Sequence, residues 1–170
     1  TWTDQRPVAR PRILAQKEPR RVTVDPLTFL FENTDTVRYQ VQEMMRIERI
    51  VRDKEIQHEL DTYNELLGDE GELGCVVLIE LDDPDERAEK LAAWTALPEH
   101  MFLELEDGTK IRGKFDGRQV EDHKVSSVQY VRFDVGGRVP VAAGSDLPEL
   151  QIRVALTDAQ RAALAEDLAV

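Results

Sequence analysis

The chain has 170 residues, of which 41% are hydrophobic and 33% are charged, and its formal net charge is −12. The hydrophobic fraction argues against wholesale disorder, and the length favours one compact domain. A single cysteine excludes an internal disulfide framework and a cysteine-based zinc site, and the net negative charge opposes binding to nucleic acid.

The sequence contains no apolar run that approaches the roughly 18 residues of a membrane span. It also lacks the basic start, apolar stretch and small-residue cleavage site of a signal peptide. We therefore expect a cytoplasmic protein without a membrane partner.

The first 21 residues are basic although the chain as a whole is acidic, with six basic side chains against two acidic ones. Pro7, Pro11 and Pro19 interrupt this segment, so we expect residues 1–20 to be an extended basic arm with at most a short helical turn. Residues 21–170 would then form a single α+β domain. The arm either lies on the acidic body of its own chain or binds an acidic partner or a nucleic acid.

Two β-like segments, at 21–24 and 28–31, follow the arm and are separated by Asp25-Pro26. The pattern then predicts a long helical stretch over 36–67, broken near Asp53. Residues 75–81 are apolar on both faces, as expected of a central strand.

Capping residues mark two further helices. Asp83 precedes Pro84 and can cap a helix that runs to about Leu97. Thr157 and Gln160 form a capping box that opens a short C-terminal helix.

The segment 101–115 predicts a β-hairpin whose register can be derived. If Glu106-Asp107-Gly108 is a three-residue loop with Gly108 in the left-handed region, then Leu105 lies opposite Thr109 and Leu103 opposite Ile111. Residues 127–135 and 149–156 predict two more strands. We therefore expect an α+β fold: a mixed, largely antiparallel sheet packed against the long helical segment and two shorter helices.

The long helical segment places an acidic residue on an apolar stripe. At 100° per residue, Glu48 falls in the middle of a face formed by Val37, Val41, Met44, Met45, Ile47 and Val51. Gln40 lies on the edge of this face, and Arg46 and Tyr39 lie on the far side. An isolated buried charge costs several kcal/mol, so Glu48 must be paired, hydrogen-bonded or protonated. Arg52, one turn on, is the nearest partner, and Arg20 or Arg21 could also reach it.

Two interpretations of this stripe stay open: a buried ion pair that fixes the helix, or a carboxylate that binds a ligand or metal. The ligand-binding candidates are Gln40, Glu43, Glu48, Arg52 and Tyr63. Glu43, Glu48 and His58 are the candidate metal ligands, as part of a mononuclear site in which His58 is joined by Glu43, Glu48, Glu59 or Asp61. Separately, Glu55 and His58 have the Glu-x-x-His spacing of ferritin-like sites. Iron or another divalent metal would suit such a site, but one such motif does not make a diiron centre. The catalytic residues, if any, are not assigned, and Cys75 is expected to be a buried, inert thiol.

Several segments resemble the bacterial domain of unknown function 3501 family: Arg20-Arg21-Val22, Leu30-Phe31-Glu32-Asn33, Gln40-Val41-Gln42-Glu43-Met44, Arg46-Ile47-Glu48-Arg49-Ile50, and Glu59-Leu60 with Tyr63-Asn64. The resemblance is most specific over about residues 12–67. It implies no established activity or catalytic residue. Genes of that family often lie near those of rubrerythrin-like and iron–sulfur proteins, which points to redox or peroxide-stress physiology.

The sequence therefore supports two functional hypotheses. The first is a non-catalytic accessory or interaction protein, with a protein partner or a second copy bound through the Met44-Met45 helix and the arm. The alternative is a metal- or small-ligand-binding protein, which could be an enzyme, with a carboxylate-rich site on the long helix.

Overall fold

A computed structural model describes residues 1–48, 53–64, 67–115, 120–121 and 124–169 of the chain. The fold is α+β, as predicted, with an antiparallel sheet and six α-helices in the described residues. The helices are α1 (Trp2–Lys17), α2 (Thr34–Glu48), α3 (Asp53–Asn64), α4 (Pro84–Ala93), α5 (Leu97–His100) and α6 (Asp158–Leu168), with a 3-10 turn at Glu18–Arg20. The strands are β1 (Arg21–Val24), β2 (Leu27–Glu32), β3 (Glu72–Ile79), β4 (Met101–Glu104), β5 (Lys110–Phe115), β6 (Val120–Glu121), β7 (Lys124–Val125), β8 (Val128–Asp134), β9 (Ala142–Leu147) and β10 (Leu150–Ala155).

Eight of these strands form one sheet in the order β1-β2-β3-β8-β5-β4-β9-β10, and every described pair is antiparallel. Strand β1 at one edge also lies beside β9 and β10 at the other edge, so the sheet curls towards a barrel. Its concave face holds the main apolar core, which includes Phe29, Val77, Leu103 and Phe133. Strand β3 lies between β2 and β8, as its apolar sequence predicted for a central strand; five of its eight residues are buried and the other three are half-buried.

The predicted register of the β4–β5 hairpin is confirmed. Leu103 lies opposite Ile111, and the Leu105 N–H donates to the Thr109 carbonyl at 2.8 Å. Gly108 has φ +88°, a conformation that costs a side-chain-bearing residue energy. The glycine therefore fixes the loop, and the loop fixes which side chains of β4 and β5 face the core.

Both predicted helix caps are confirmed. The Asp83 side chain accepts from the N–H groups of Asp85 and Glu86, and Thr157 and Gln160 form a reciprocal capping box. Helix α4 ends at Ala93 rather than near Leu97, because the chain turns at Trp94. The Trp94 ring is buried in the core at that turn.

The first residues do not form an extended arm; they form the helix α1. Thr1 and Asp4 make a capping box, and Pro7 and Pro11 lie inside the helix. Each proline removes one backbone hydrogen bond, but intrinsic propensity is weak compared with tertiary packing. Ile13 is buried and Trp2 and Arg6 contact α2, so packing on the chain's own body holds α1.

The predicted apolar face of the long helix is correct for Val37 and Val41, which are buried, but wrong for two other residues. Tyr39, placed on the far side, is buried because α1 covers it, and Ile47, placed on the apolar face, is 65% exposed. Helix α1 begins at Trp2, beside Glu43, and Ile47 is one turn further on. The break expected near Asp53 falls beside residues 49–52, which lie outside the described residues.

Candidate functional site

Helices α1, α2 and α3 form what we name the helical layer. Helix α2 contacts both of the others. Among the described residues, four of the five exposed large hydrophobic side chains belong to this layer: Val8, Leu14, Ile47 and Leu60. The fifth, Tyr130, is on β8. The exposed apolar surface is thus concentrated on one part of the fold.

Helix α3 is the least covered member of the layer. Of its side chains that the structure describes, Ile56 is half-buried and the others are exposed. An amphipathic helix of a globular protein normally buries an apolar stripe against its own core. The exposed Leu60 shows that the described part of α3 leaves apolar surface in solvent.

Helix α1 is held on α2 by a partly buried carboxylate, Glu43. The Arg6 Nε donates to Glu43 Oε1 at 2.7 Å, and the Trp2 indole N–H donates to the same oxygen at 3.3 Å. Arg6 and Trp2 hold the pKa of Glu43 below its ordinary value, although burial opposes this effect. The Trp2 ring also meets Tyr39 edge-on, with centroids 5.6 Å apart.

The two helices run antiparallel. Gln16, near the end of α1, reaches Asp35 at the start of α2, whereas Arg6 reaches Glu43 further along. The basic segment therefore lies on its own body, which is one of the two alternatives left open by the sequence. Arg12 is exposed, and Arg10, also exposed, donates to the Tyr39 hydroxyl at 3.4 Å.

The structure describes the side chains of two of the five predicted ligand-binding residues, Gln40 and Glu43. Gln40 is half-buried on α2, and the Glu43 carboxylate is already bound by Arg6 and Trp2. The side chains of Glu48 and Tyr63, and the whole of Arg52, lie outside the described residues. The ligand site on this helix stays a prediction.

The predicted metal ligands do not meet in the part of the chain that the structure describes. His58 and Glu55 are exposed on α3. Within the described residues, no group of three or more histidine, cysteine, aspartate or glutamate side chains is arranged to hold a metal ion. Cys75 is fully buried, as predicted, and burial raises the pKa of its thiol.

Sequence reasoning missed a buried polar junction between the N-terminal segment and α6. Arg20, which the sequence offered with Arg21 as an alternative to Arg52 for pairing with Glu48, forms a bidentate pair with Asp167, with distances of 2.9 and 2.8 Å. Its guanidinium also donates to the carbonyls of Gln16 and Ala163. Asn33 donates to Asp167 as well, at 3.3 Å. No sequence signal pairs residues 147 positions apart, so only the tertiary fold reveals this contact.

Beside this junction opens a cleft of about 650 Å³. Its acidic lining residues are Glu32, Asp35, Asp69, Glu70, Glu72, Glu166 and Asp167. Two of these carboxylates are already paired, Asp167 with Arg20 and Glu72 with Lys114. Burial raises the pKa of Glu32, while the Thr36 hydroxyl, which donates to it, and the Lys17 charge lower it.

The outer face of the curled sheet carries cations that are mostly paired. Arg112 binds Asp146 through two hydrogen bonds, of 2.9 and 2.6 Å, and Arg153 binds Glu104 at 2.7 Å. Arg112 lowers the pKa of Asp146 most strongly, and His100 adds to the effect. These cations are therefore engaged by carboxylates of the same face.

No helix in the described ranges combines the length and apolarity needed to cross a bilayer.

Residues 1–168 match the model of a family described as "Protein of unknown function (DUF3501)". The chain belongs to the DUF3501 family. The resemblance seen in the sequence is thereby confirmed, and it extends over essentially the whole chain. Arg20, Glu32 and Asn33, which carried part of that resemblance, meet around the buried junction and its cleft.

Among solved structures, this DUF3501 chain is similar to a novel protein of unknown function from Burkholderia pseudomallei K96243, determined by crystallography at 1.90 Å resolution. The two chains are 32% identical, with a TM-score of 0.86 over 98% of this chain and 93% of the other. The comparison with curated proteins finds no match.

Proposed function

We propose that this protein is a non-catalytic interaction protein that docks another polypeptide on its helical layer. The observation that carries the proposal is the placement of exposed apolar side chains: Val8 on α1, Ile47 on α2 and Leu60 on α3. Val8 is 80% exposed and Ile47 is 65% exposed. Exposed apolar patches mark interaction sites more often than single scattered apolar side chains do, and these three side chains belong to helices that contact one another through α2.

The contrast with the rest of the described surface supports the same proposal. On the outer face of the sheet, Arg112, Arg153 and Lys114 each have a carboxylate partner. On α1, Arg12 extends into solvent beside exposed Val8. The helical layer thus offers apolar and charged groups together, and interfaces combine an apolar centre with a polar rim.

The test compares tagged wild-type protein with the double variant Val8→Glu/Leu60→Glu in cells that encode the protein. Tyr130→Ser is the matched control, because it removes an exposed aromatic side chain outside the layer. We expect associated polypeptides, including untagged copies of the chain, to be recovered with wild type and control and lost with the double variant. Each partner is then confirmed with purified components.

Equal recovery by wild type and double variant would overturn the proposal. Circular dichroism and melting curves of the double variant provide the folding control. Since both substituted side chains are exposed, we expect its stability to change by less than about 0.5 kcal/mol.

A role in redox or peroxide-stress physiology is the finer part of this proposal, and its support is the family resemblance. The same co-purification tests it, because a partner of that physiology would be recovered in a layer-dependent way.

A further inference from the structure

A cleft of about 560 Å³ opens at one end of the curled sheet. The pairing registers bring the β4–β5 hairpin loop and the β8–β9 loop to this end, because β4 and β8 finish where β5 and β9 begin. Helix α6 supplies a third wall, since it follows β10, whose last residue pairs with the first residue of β9. The residues that line the cleft are Leu105, Glu106, Asp107, Arg138, Val139 and Arg161. The mouth of a curled or closed sheet is a common place for a ligand site.

Both loops that form the cleft are held by hydrogen bonds. In the hairpin loop, the Gly108 N–H donates to the Leu105 carbonyl at 2.9 Å. In the β8–β9 loop, the Arg138 N–H donates to the Val135 carbonyl at 3.1 Å. The Arg138 side chain also donates to the Asp107 carboxylate at 3.2 Å, which joins the two loops. A cleft whose walls are held in place loses less conformational freedom when a ligand binds.

Arg161 lines this cleft with a guanidinium group that has unused hydrogen-bonding capacity. Its Nε is buried and has no hydrogen-bond partner. Whereas Arg138 pairs with Asp107, Arg161 forms no ion pair with any carboxylate that the structure describes. A buried donor without an acceptor is unfavourable. The Arg161 side chain is only half-buried, so a ligand in the cleft can reach it and turn the guanidinium towards an acceptor.

We propose that this cleft binds a small organic acid whose carboxylate pairs with the Arg161 guanidinium. The two N–H groups on one side of a guanidinium match the two oxygens of a carboxylate, and such charge-assisted pairs are stronger than neutral hydrogen bonds. Leu105 and Val139 supply apolar lining for the body of the acid. This inference does not depend on the helical layer, because no residue of α1, α2 or α3 lines the cleft.

The charges of the lining favour a carboxylate over a phosphate group. Arg138 and Arg161 are balanced by Glu106 and Asp107, so the lining carries no net charge. A ligand with one negative charge can pair with Arg161 while the acidic side chains repel it only weakly. A phosphate near neutral pH carries more negative charge and meets stronger repulsion from the same two carboxylates.

The experiment follows the arginine Nε–Hε signals of the purified, ¹⁵N-labelled full chain by NMR, with isobutyrate as the probe. The Arg161 signal is assigned by its absence from Arg161→Met. We expect it to shift saturably, with half-saturation at about 1 mM or below. Isobutyramide has the same shape without the charge, and inorganic phosphate has charge without the apolar body. We expect each to bind at least about tenfold more weakly than isobutyrate.

A pair of matched variants tests whether Arg161 carries the binding. Arg161→Met keeps an unbranched side chain but removes the guanidinium, and Arg12→Met makes the same change on exposed α1. We expect isobutyrate to raise the Tm of wild type and Arg12→Met, and to leave the Tm of Arg161→Met unchanged. Circular dichroism checks that both variants fold. The comparison of the three probes uses wild type alone, so it does not depend on the folding of either variant.

Four results would overturn the inference. The first is the lack of a saturable shift of the Arg161 signal up to about 10 mM isobutyrate. The second is binding of phosphate or isobutyramide as tight as that of isobutyrate. The third is unchanged isobutyrate binding by a folded Arg161→Met variant. The fourth is an equal loss of binding in Arg12→Met, which would indicate a general effect of net charge.

Discussion

The buried pair between Arg20 and Asp167 gives the sharpest test of the fold's energetics. Arg20 is 4% exposed, and its guanidinium reaches Asp167 and the carbonyls of Gln16 and Ala163. Replacing Asp167 with alanine leaves this guanidinium buried without its counter-charge. Removal of one partner of a buried pair costs about 3–5 kcal/mol. Because the Asp167 side chain keeps some solvent contact and two carbonyls still accept from Arg20, we expect the lower end, about 3 kcal/mol.

For a chain of this size, that loss corresponds to a fall in Tm of about 6–12 °C. Urea unfolding at pH 7, followed by circular dichroism, measures it as a lower midpoint with an unchanged m-value. Glu166→Ala is the matched control, since its side chain is an exposed neighbour on α6. The control should change stability by less than about 0.5 kcal/mol.

Equal midpoints for Asp167→Ala and Glu166→Ala would refute the burial argument. A double variant, Arg20→Met with Asp167→Leu, adds a second test. It should regain most of the lost stability, because removing both charges removes the desolvation cost.

Four further outcomes follow from the structure. Glu43→Gln should loosen α1 and lower stability by about 1–2 kcal/mol, seen as a change in Trp2 fluorescence, with Glu55→Gln as the control. Arg6 and Trp2 lower the Glu43 pKa, so the stability contributed by these contacts is present above the ordinary carboxyl pKa of about 4.3 and is lost as the pH falls through the lowered folded-state pKa. A stability loss in Glu43→Gln that does not change with pH would contradict this argument. Burial raises the Glu32 pKa, so Glu32→Gln should stabilise the protein at pH 7 by up to about 1 kcal/mol. This gain in stability should disappear as the pH falls below the raised folded-state pKa, because the native carboxyl is then neutral too. A gain that persists in acid would argue against desolvation as the cause. Gly144→Ala should cost more than about 3 kcal/mol of stability, since an added Cβ would lie 2.1 Å from the Ile152 carbonyl oxygen. Gly108→Ala should cost about 1–2 kcal/mol, because only its positive φ opposes the substitution. Thermal melts should therefore show a larger fall in Tm for Gly144→Ala than for Gly108→Ala. Chelator treatment should leave Tm and oligomeric state unchanged, and stoichiometric iron, zinc or manganese in elemental analysis would instead favour the carboxylate–histidine site of the sequence hypothesis.

Local sequence signals predicted the parts of the fold that local physics decides. The β4–β5 register follows from one glycine at positive φ and from alternation along the two strands. The caps at Asp83 and Thr157 follow from side chains that satisfy nearby N–H groups. In each case the decisive contacts join residues close together in the sequence.

Long-range packing decided what the sequence did not predict. Helix α1 was missed because Pro7 and Pro11 were treated as breakers, although Thr1 and Asp4 have the capping-box spacing that could have indicated the helix start. Strand β9 was missed because Ala142-Ala143-Gly144 has low β-propensity; Gly144 is required by the close approach of β10.

The candidate surface was predictable only in part. The basic charge of the first segment and the Met44-Met45 helix were visible in the sequence, and both belong to the helical layer. The coverage of Tyr39 and the exposure of Ile47 depend on where α1 lies on α2. That placement is set by the distant contacts of Arg6 and Trp2 with Glu43.

The single thiol lies in β3, which pairs with β2 on one side and β8 on the other. A thiol reagent can reach Cys75 only after these strands separate, since the side chain is fully buried in the native state. The rate of labelling in native buffer therefore measures how often the middle of the sheet opens, without any engineered probe. The same measurement on Asp167→Ala would tell whether loss of the Arg20–Asp167 pair makes the strands around Cys75 open more often or leaves their opening unchanged.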